Sequence, residues 1–352
     1  MSITLETVED LASARRGWDE LAAASGNVFA TWDWMDAWWR SFGGGRRRLM
    51  LRRVLDADGR LLAMLPLYRT AHGPIAIARF LGHGPADELG PVCADADRAA
   101  AAEALTSMAN ELGTGGVLVA ERLAGDAGWP PSLLRAPMRT EASPVVRTEN
   151  CTWDEWLDSR SSNFRQQVRR RERRLVREHG LTFRLSDDPA RLETDLDTLV
   201  RLHAARWGEE SSTFTLGRLA FHREFAQRAL AAGRLRLWLA EVDERPIAAW
   251  YGFRFARREV YYQAGRDPAW EREAVGFVLL AHTIRAAFQD GMREYRFGLG
   301  DEDYKTRFAS DDPGLLTVAV GSRTATVLAG VAAAAARRLP RGARRAGLQR
   351  VA

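Results

Sequence analysis

The spacing of apolar residues changes repeatedly along the chain, and each change marks the boundary of an element. In the first part of the chain it predicts a Trp-rich helix over 29–42, an Ala-rich helix over 97–112 and a strand over 117–120. Alternating apolar residues over 49–68 predict a hairpin that turns at Asp58-Gly59. This part of the chain is therefore predicted to fold as a helix, a hairpin, a second helix and a strand.

The second part of the chain begins with an Arg-rich helix that Gly180 ends as a left-handed cap. Three apolar strands with short turns between them then predict an antiparallel meander, followed by a helix that Gly291 ends. The pattern predicts helices over 161–179, 193–207, 216–232 and 273–290, and strands over 234–242, 246–255, 259–265, 294–300 and 315–320. The fold class is predicted to be α/β in the α+β sense, with mixed, mostly antiparallel sheets flanked by helices.

A weak internal repeat relates the two parts. DGRLLAMLPL, which starts at Asp58, aligns with DERPIAAWYGF, which starts at Asp243, and a helix and a strand follow each copy. Two copies of one fold are therefore predicted, over residues 1–150 and 151–321, with a basic Ala/Arg-rich tail over 322–352. A chance match of two unrelated hairpins is the alternative.

The length of 352 residues suits two cores of ordinary size. No apolar run approaches the roughly 18 residues that a membrane helix needs, and the N-terminus has no signal-peptide pattern. A cytoplasmic protein is the expectation. Cys93 and Cys151 fit neither a disulfide framework nor a metal cluster, and they are predicted to be structural.

Basic residues are concentrated in two segments. Residues 159–179 contain eight Arg and two Glu, and residues 321–352 contain seven Arg and no acid, although the formal net charge of the chain is only +5. The helix would bind phosphates of a donor, a nucleotide-linked acceptor or a tRNA, or would be a solvated face. The tail would make peripheral contact with a membrane surface or be a frayed terminus.

Arginine supplies almost all of this positive charge. Of the 51 basic residues, only Lys305 is a lysine. A compact ammonium is therefore predicted to be needed at that position, where a planar guanidinium would not fit.

Several motifs of the second half resemble the acetyltransferase domain of the CelD-like GNAT proteins, distant relatives of the Fem aminoacyltransferases. The resemblance spans about 154–320, and the first half is matched only as a degenerate copy. It rests on the runs LHAARW at 202–207, VYYQAGRDP at 260–268 and FGLGDEDYK at 297–305, and on Gly276 at the start of a helix. The resemblance implies tandem GNAT-like domains, with the chemistry in the second.

The resemblance also implies how the donor binds. In the family fold the fourth and fifth strands splay apart around the pantetheine arm, and the next helix directs its N-terminal amides at the pyrophosphate. The donor is expected to be acetyl-CoA or another acyl-CoA, with no metal. This chain has Ala274 where the usual loop has Gly, and Glu271 where it has Gln or Arg. Either Arg272 restores a phosphate contact from one position along, or the donor is another activated acyl group. The expected cofactor-binding residues are Gln263, Gly265, Arg272, Ala274, Val275, Gly276 and Phe277.

Acyl transfer needs a base for the acceptor, donors for the oxyanion and an acid for the leaving group. The resemblance makes Tyr304 the candidate acid, and it places the helix face of His203 and Trp207 beside the acceptor cleft. Lys305 would be a charge clamp. The candidate catalytic residues are Tyr304, Lys305, Asp301 and His203, and the candidate substrate-binding residues are Arg206, Trp207, Gly300 and Asp303.

The predicted function is acyl transfer from acyl-CoA to an amine or hydroxyl, on a small molecule, a sugar or an envelope polysaccharide precursor. One alternative is a Fem-like aminoacyltransferase that uses aminoacyl-tRNA, the only nucleic-acid partner expected. Another is a non-catalytic binding subunit of a polysaccharide-synthesis assembly. The sequence contains no metal-ligand spacing, no G-x-S-x-G elbow and no Walker loop.

Overall fold

The computed structural model describes residues 2–72, 75–135, 137–208, 211, 213–322 and 326. The predicted basic tail therefore lies, apart from Ser322 and Thr326, outside the described residues. The helices are α1 (Leu11–Ala14), α2 (Trp18–Ser25), α3 (Trp32–Phe42), α4 (Arg98–Glu111), α5 (Trp153–Asp158), α6 (Ser162–His179), α7 (Leu192–Trp207), α8 (Leu216–Ala231), α9 (Val275–Gln289) and α10 (Asp303–Phe308). No helix in these ranges is both long and apolar enough to cross a membrane.

The strands form two sheets. They are β1 (Thr4–Val8), β2 (Arg48–Leu55), β3 (Leu61–His72), β4 (Ile75–Phe80), β5 (Val92–Cys93), β6 (Val117–Ala124), β7 (Pro137–Glu141), β8 (Val145–Arg147), β9 (Thr182–Leu185), β10 (Leu235–Val242), β11 (Arg245–Phe255), β12 (Arg258–Arg266), β13 (Glu294–Arg296) and β14 (Leu315–Gly321). The first sheet has the order β1-β2-β3-β4-β6-β14-β7, with β5 on β3, and the second has the order β8-β13-β12-β11-β10-β9. Both are mostly antiparallel and flanked by helices, so the predicted fold class is confirmed.

The two sheets repeat one topology. In the first, β1 to β4 pair antiparallel, and β6 then joins β4 in parallel after α4. In the second, β9 to β12 pair antiparallel, and β13 then joins β12 in parallel after α9. The parallel pair exists because a helical crossover returns the chain in the same direction. Tandem copies of one fold are thus visible in the strand order itself.

Each sheet also contains a strand from the other half of the sequence. β14 follows the whole second half, yet it pairs with β6 and β7 of the first sheet. β8 precedes the second half and pairs with β13 of the second sheet. The sequence analysis assigned residues 315–321 to the second domain, whereas their hydrogen bonds lie in the first sheet.

The second sheet is buried on both faces. One face packs against α7, α8 and the first half, and the other packs against α6 and α9. The Trp-rich helix α3 supplies much of the contact between halves, because the Trp34 ring centre is 4.9 Å from that of Phe221 and 4.7 Å from that of Phe225. Trp34 and Trp38 are buried, so these two aromatics belong to the core.

Candidate active site

A gap opens in the second sheet between its two parallel strands. β12 and β13 pair only through three residues, from Arg258–Glu294 to Val260–Arg296. Beyond these residues β12 continues to Arg266 beside β11, while the chain after Arg296 leaves the ladder. The strand edges beyond these residues are unpaired in the ladder and offer backbone groups to an extended ligand.

A bulge in β12 lies at the mouth of this gap. Tyr251 pairs with Gln263 and Gly252 pairs with Tyr261, so Tyr262 is an extra residue with no partner on β11. Gly252 is required here, because a Cβ would lie 2.2 Å from the Val260 carbonyl oxygen. A bulge takes a backbone group out of the ladder and turns it toward a ligand. The bulge therefore supplies a backbone position suited to holding a carbonyl oxygen.

The N-terminus of α9 is the nearest candidate anion site. Ala274 has left-handed φ and ψ of 54° and 42° at the N-cap and provides no side-chain cap. Among the described residues, no acceptor is found for the amides of Val275 and Gly276. A Cβ on Gly276 would meet only Arg266, at 3.5 Å. Free amides and the positive end of the helix dipole favour a bound phosphate at this position.

The helix of the first half that corresponds to α9 is α4, and its N-terminus differs. α4 begins immediately after Asp97, whose side chain is buried and pairs with Arg60 at 3.1 Å. The Asp97 side chain accepts no hydrogen bond from the first turn of α4, but its negative charge at the N-terminus would repel a phosphate. Only the second half of the molecule thus retains an accessible anion site of this kind among the described residues.

Arginines surround the start of α9. The guanidinium carbons of Arg171 on α6 and Arg307 on α10 lie 5.6 Å and 5.3 Å from the Phe277 ring centre. Arg266 pairs with Glu271 at 2.6 Å, whereas Arg272 is exposed. The basic helix α6 therefore runs beside the candidate phosphate site.

An aromatic pair stands on the other side of the gap. The Tyr304 hydroxyl donates to the Tyr261 hydroxyl at 3.1 Å. Burial is the main cause that raises the pKa of both phenols above their usual value, although Arg206 acts in the opposite direction. Both tyrosines therefore keep their protons at neutral pH, and Tyr304, the less buried one, has a proton to give to a leaving group.

Arg206 and Trp207 join this pair from α7. The Arg206 guanidinium carbon lies 4.4 Å from the Trp207 ring centre and 5.4 Å from the Tyr304 ring centre. Trp207 is 45% exposed. The structure thus brings three predicted site residues together around one opening.

His203 lies deeper in the same helix. Its Nδ1 is 3.1 Å from the Ala264 carbonyl oxygen and its Nε2 is 2.8 Å from the Ser211 hydroxyl. The carbonyl can only accept, so Nδ1 carries the hydrogen and Nε2 faces the hydroxyl as an acceptor. Burial lowers the pKa of His203, which favours this neutral form. Gly265 allows the close packing, since a Cβ there would lie 2.3 Å from the His203 amide nitrogen.

Lys305 lies in the first turn of α10, and its buried side chain reaches back to the turn that precedes this helix. Its ammonium donates to the Leu299 carbonyl at 2.6 Å and pairs with Glu302 at 2.9 Å. Asp301 and Asp303 are exposed, and the Gly300 amide donates to the Ala142 carbonyl at 3.0 Å. The structure therefore places Lys305 as a brace of the turn and leaves the two aspartates at its surface.

The sequence analysis did not find every residue of this site. Tyr261 and Tyr262 were used only as part of a motif, because a bulge leaves no reliable mark in the sequence. Ser211 follows Gly208 in a polar loop, and its link to His203 depends on the tertiary structure. Gln263 lies next to the bulge and faces neither of the tyrosine hydroxyls in the described contacts.

Comparison with known proteins agrees with this geometry. Residues 162–306 match the acetyltransferase (GNAT) domain family. The match covers about two fifths of the chain and includes the gap, the bulge, the start of α9 and Tyr304. No curated protein matches the chain.

Several solved structures share the fold across both halves. FemX has a TM-score of 0.62 at 13% identity, over 90% of this chain and 97% of its own. The C-terminal domain of an Agrobacterium fabrum protein assigned as a lysylphosphatidylglycerol synthetase has a TM-score of 0.57 at 14% identity. The match covers 91% of this chain and 95% of that domain. L-PGS from Bacillus licheniformis has a TM-score of 0.51 at 12% identity, and the match covers 84% of this chain and 93% of that chain. At these identities the likeness shows the fold of the GNAT domain and its companion half.

Proposed function

We propose that this protein transfers an acyl group from acyl-CoA to an amine or hydroxyl acceptor. The observation that carries the proposal is the divergence of β12 and β13 beyond Val260, with the bulge at Tyr262 in its mouth. The match to the GNAT domain over the same residues supports it. Acetyl-CoA is the donor that this family description suggests.

Each part of the site has a use in this reaction. The arm of the donor would enter the gap, its phosphates would meet the amides of Val275 and Gly276, and its carbonyl would lie at the bulge. The thiolate that leaves would take a proton from Tyr304, which burial keeps protonated. Arg206 and Trp207 would border the acceptor. On the CelD-like resemblance, the acceptor is proposed to be a sugar or an envelope polysaccharide precursor in the cytoplasm.

The donor site can be tested by calorimetric titration with acetyl-CoA. Gly276→Trp would fill the space in front of the α9 amides, so binding should be lost. Gly217→Trp is the matched control, because Gly217 also lies in the first turn of a helix with open space around its Cβ. Equal binding by both variants would place the donor elsewhere, and no binding by the unmodified protein would favour a non-catalytic subunit.

A second candidate is aminoacyl transfer from tRNA. The basic helix α6 favours it, because Arg171 flanks the anion site while Arg169, Arg170, Arg173 and Arg174 are exposed on the same helix. A nucleic-acid donor would make binding weaken steeply with salt. Binding of bulk tRNA would be measured against salt for the unmodified protein and for Arg170→Gln/Arg173→Gln. If the affinity for tRNA depends only weakly on salt, and the substitutions do not change this dependence, aminoacyl transfer from tRNA is excluded.

A further inference from the structure

A carboxylate from the first half reaches the gap of the second. The loop 81–91 follows β4 and crosses to the second sheet, where the Tyr262 hydroxyl donates to the Pro85 carbonyl at 3.0 Å. Two residues later, Asp87 lies against the chain that leaves β13: a Cβ on Gly298 would be 2.3 Å from its Oδ2. The Leu299 amide donates to the Asp87 carboxylate. Asp87 therefore lies between the bulge of β12 and the end of β13.

The loop holds Asp87 firmly in this place. The Trp38 indole donates to the His83 carbonyl at 3.0 Å, and the Asn27 amide donates to the Glu88 carbonyl at 3.3 Å. Arg122 on β6 donates to the Ala86 carbonyl. Contacts on both sides of Asp87 thus fix its position before any ligand binds, which is the condition for efficient catalysis.

The charge of Asp87 has no direct cationic partner among the described residues. Arg122 and Lys305 are the nearest cations that act on it. Arg122 is engaged with the carbonyls of the loop, and the Lys305 ammonium is engaged with Leu299 and Glu302. Asp87 is also partly exposed, in a small cleft that Asn27, Val260 and Gly298 line. Part of the Asp87 side chain therefore faces open space, in a cleft that Arg296 also lines.

We propose that Asp87 is the base that binds and deprotonates the acceptor amine, so that the first half completes the catalytic centre of the second. The proposal rests on the acyltransferase function and narrows the acceptor to a primary amine. A carboxylate attracts an ammonium group, whereas it is too weak a base to deprotonate an alcohol directly. Asp87 lies beside the bulge, where the proposed function places the acyl carbonyl.

The surroundings of Asp87 suit a base. Burial raises its pKa to about 6, while Arg122, Lys305 and the Leu299 amide oppose this rise. Such a carboxylate is ionised at neutral pH and still takes up a proton more readily than an exposed aspartate. The other titratable groups around it are Glu302 before α10, Tyr262 on β12, and His83 and Glu88 in its own loop.

The reaction balances with these groups alone. Asp87 takes one proton from the ammonium, and the free amine attacks the thioester carbonyl to form the C–N bond. As the C–S bond breaks, the thiolate takes the Tyr304 proton, and Tyr304 regains one from the amide nitrogen. Asp87 then releases its proton to water, so the products are the amide, the free thiol of CoA and one proton.

Two nucleophiles distinguish a base from a structural residue. Methylamine is a cation near neutral pH and must lose a proton, whereas hydroxylamine is mostly uncharged and does not need one. Release of CoA thiol from acetyl-CoA would be measured with each nucleophile for the unmodified protein, Asp87→Asn and Glu88→Gln. Asn keeps an acceptor for the Leu299 amide, and Glu88 is the adjacent carboxylate, 3.6 Å from Arg296.

We expect Asp87→Asn to lower kcat/KM for methylamine about 100-fold. The kcat/KM for hydroxylamine should change less than about threefold. Glu88→Gln should leave the ratio of the kcat/KM values for the two nucleophiles almost unchanged. An equal loss for both nucleophiles in Asp87→Asn would overturn the proposal, because it would show that Asp87 only supports the fold. Absence of thiol release by the unmodified protein with either nucleophile would overturn the acyl-CoA function itself, and this role with it.

Discussion

Lys305 and Tyr304 are neighbours in the sequence, but their side chains have different surroundings. The single lysine of the chain is 3% exposed, with one carbonyl and one carboxylate as partners. The expectation that a compact ammonium is needed at this position agrees with its burial, since a guanidinium fork would need more room and more acceptors. Its direct part in the chemistry stays a prediction, whereas Tyr304 faces the opening.

Lys305→Met should reduce the free energy of unfolding by about 1–3 kcal/mol, because the Leu299 carbonyl and Glu302 lose their partner. Urea denaturation measures this change. An unchanged midpoint together with lost activity would instead place the ammonium in the reaction.

Tyr304→Phe should lower kcat at least about 100-fold and leave the affinity for acetyl-CoA nearly unchanged, because only the acid is removed. Tyr68→Phe, at a buried tyrosine of the first half, is the matched control. Steady-state kinetics and calorimetry together would separate the two effects. A loss of affinity with unchanged turnover would assign Tyr304 to binding.

His222 is a residue whose titration should be visible in stability at mildly acidic pH. Its ring is 1% exposed, neither nitrogen has a partner among the described residues, and burial lowers its pKa from 6.5 to about 3. Burial disfavours the charged imidazole in the folded protein, so on acidification the unfolded chain binds the proton first. Stability should therefore fall as the pH drops from about 6.5 toward 3.

His222→Phe should remove this acid sensitivity and raise the free energy of unfolding by about 1–3 kcal/mol, since it removes two unpaired buried nitrogens. Thermal unfolding between neutral pH and mildly acidic pH would measure the effect. The idea fails if the variant and the unmodified protein lose stability in parallel.

At the scale of elements, the sequence predicted those that have long periodic patterns. The helices α6, α7, α8 and α9 and the meander β10 to β12 start and end within about two residues of their predicted bounds. The strand predicted over 294–300 is only Glu294–Arg296, because Gly298 turns with φ of 67° to admit Asp87. The short strands β7, β8 and β9 were missed, since their partners are distant in sequence.

The residues of the candidate site also differ in whether the sequence could predict them. The tyrosine acid, the α7 face and the start of α9 could be predicted because a local motif carries each of them. Asp87 could not, because the loop that carries it is more than 200 residues away from Leu299 along the chain. No local pattern marks a residue whose role depends on the packing of two halves.

The start of α9 allows a test of backbone strain. Ala274 has φ of 54°, a region that glycine adopts without penalty and alanine adopts at a cost. Ala274→Gly should therefore stabilise the protein by about 1 kcal/mol, whereas Ala286→Gly within the same helix should destabilise it by about 0.5–1 kcal/mol. Denaturant midpoints compare the two, and equal destabilisation would contradict the left-handed conformation at Ala274.

At the scale of the molecule, the exchange of β8 and β14 joins the halves into one folding unit. β14 fills the place between β6 and β7, and β8 covers the free edge of β13. Two ion pairs to α3 add to this contact: Arg228 on α8 pairs with Asp36 at 2.8 Å, and Arg234, just before β10, pairs with Asp33 at 3.0 Å. Neither half is complete without residues from the other.

Truncation tests this interdependence. A chain that ends after Ser322 keeps β14 and should unfold at about the same temperature as the full protein. A chain that ends after Gly314 loses β14 and exposes both neighbouring edges, so it should aggregate or unfold. Thermal melting and gel filtration would compare them, and a folded monomer after the shorter truncation would show that the halves are independent.

The position of β14 also constrains the order of events during synthesis. Residues 2–147 emerge before the second half and contain seven of the eight strands of their sheet, but the place between β6 and β7 stays empty until residues 315–321 are translated. The nascent first half must therefore persist with an open sheet while the second half is made. The first sheet is therefore completed only after β13, and with it the catalytic gap of the second sheet, has been translated.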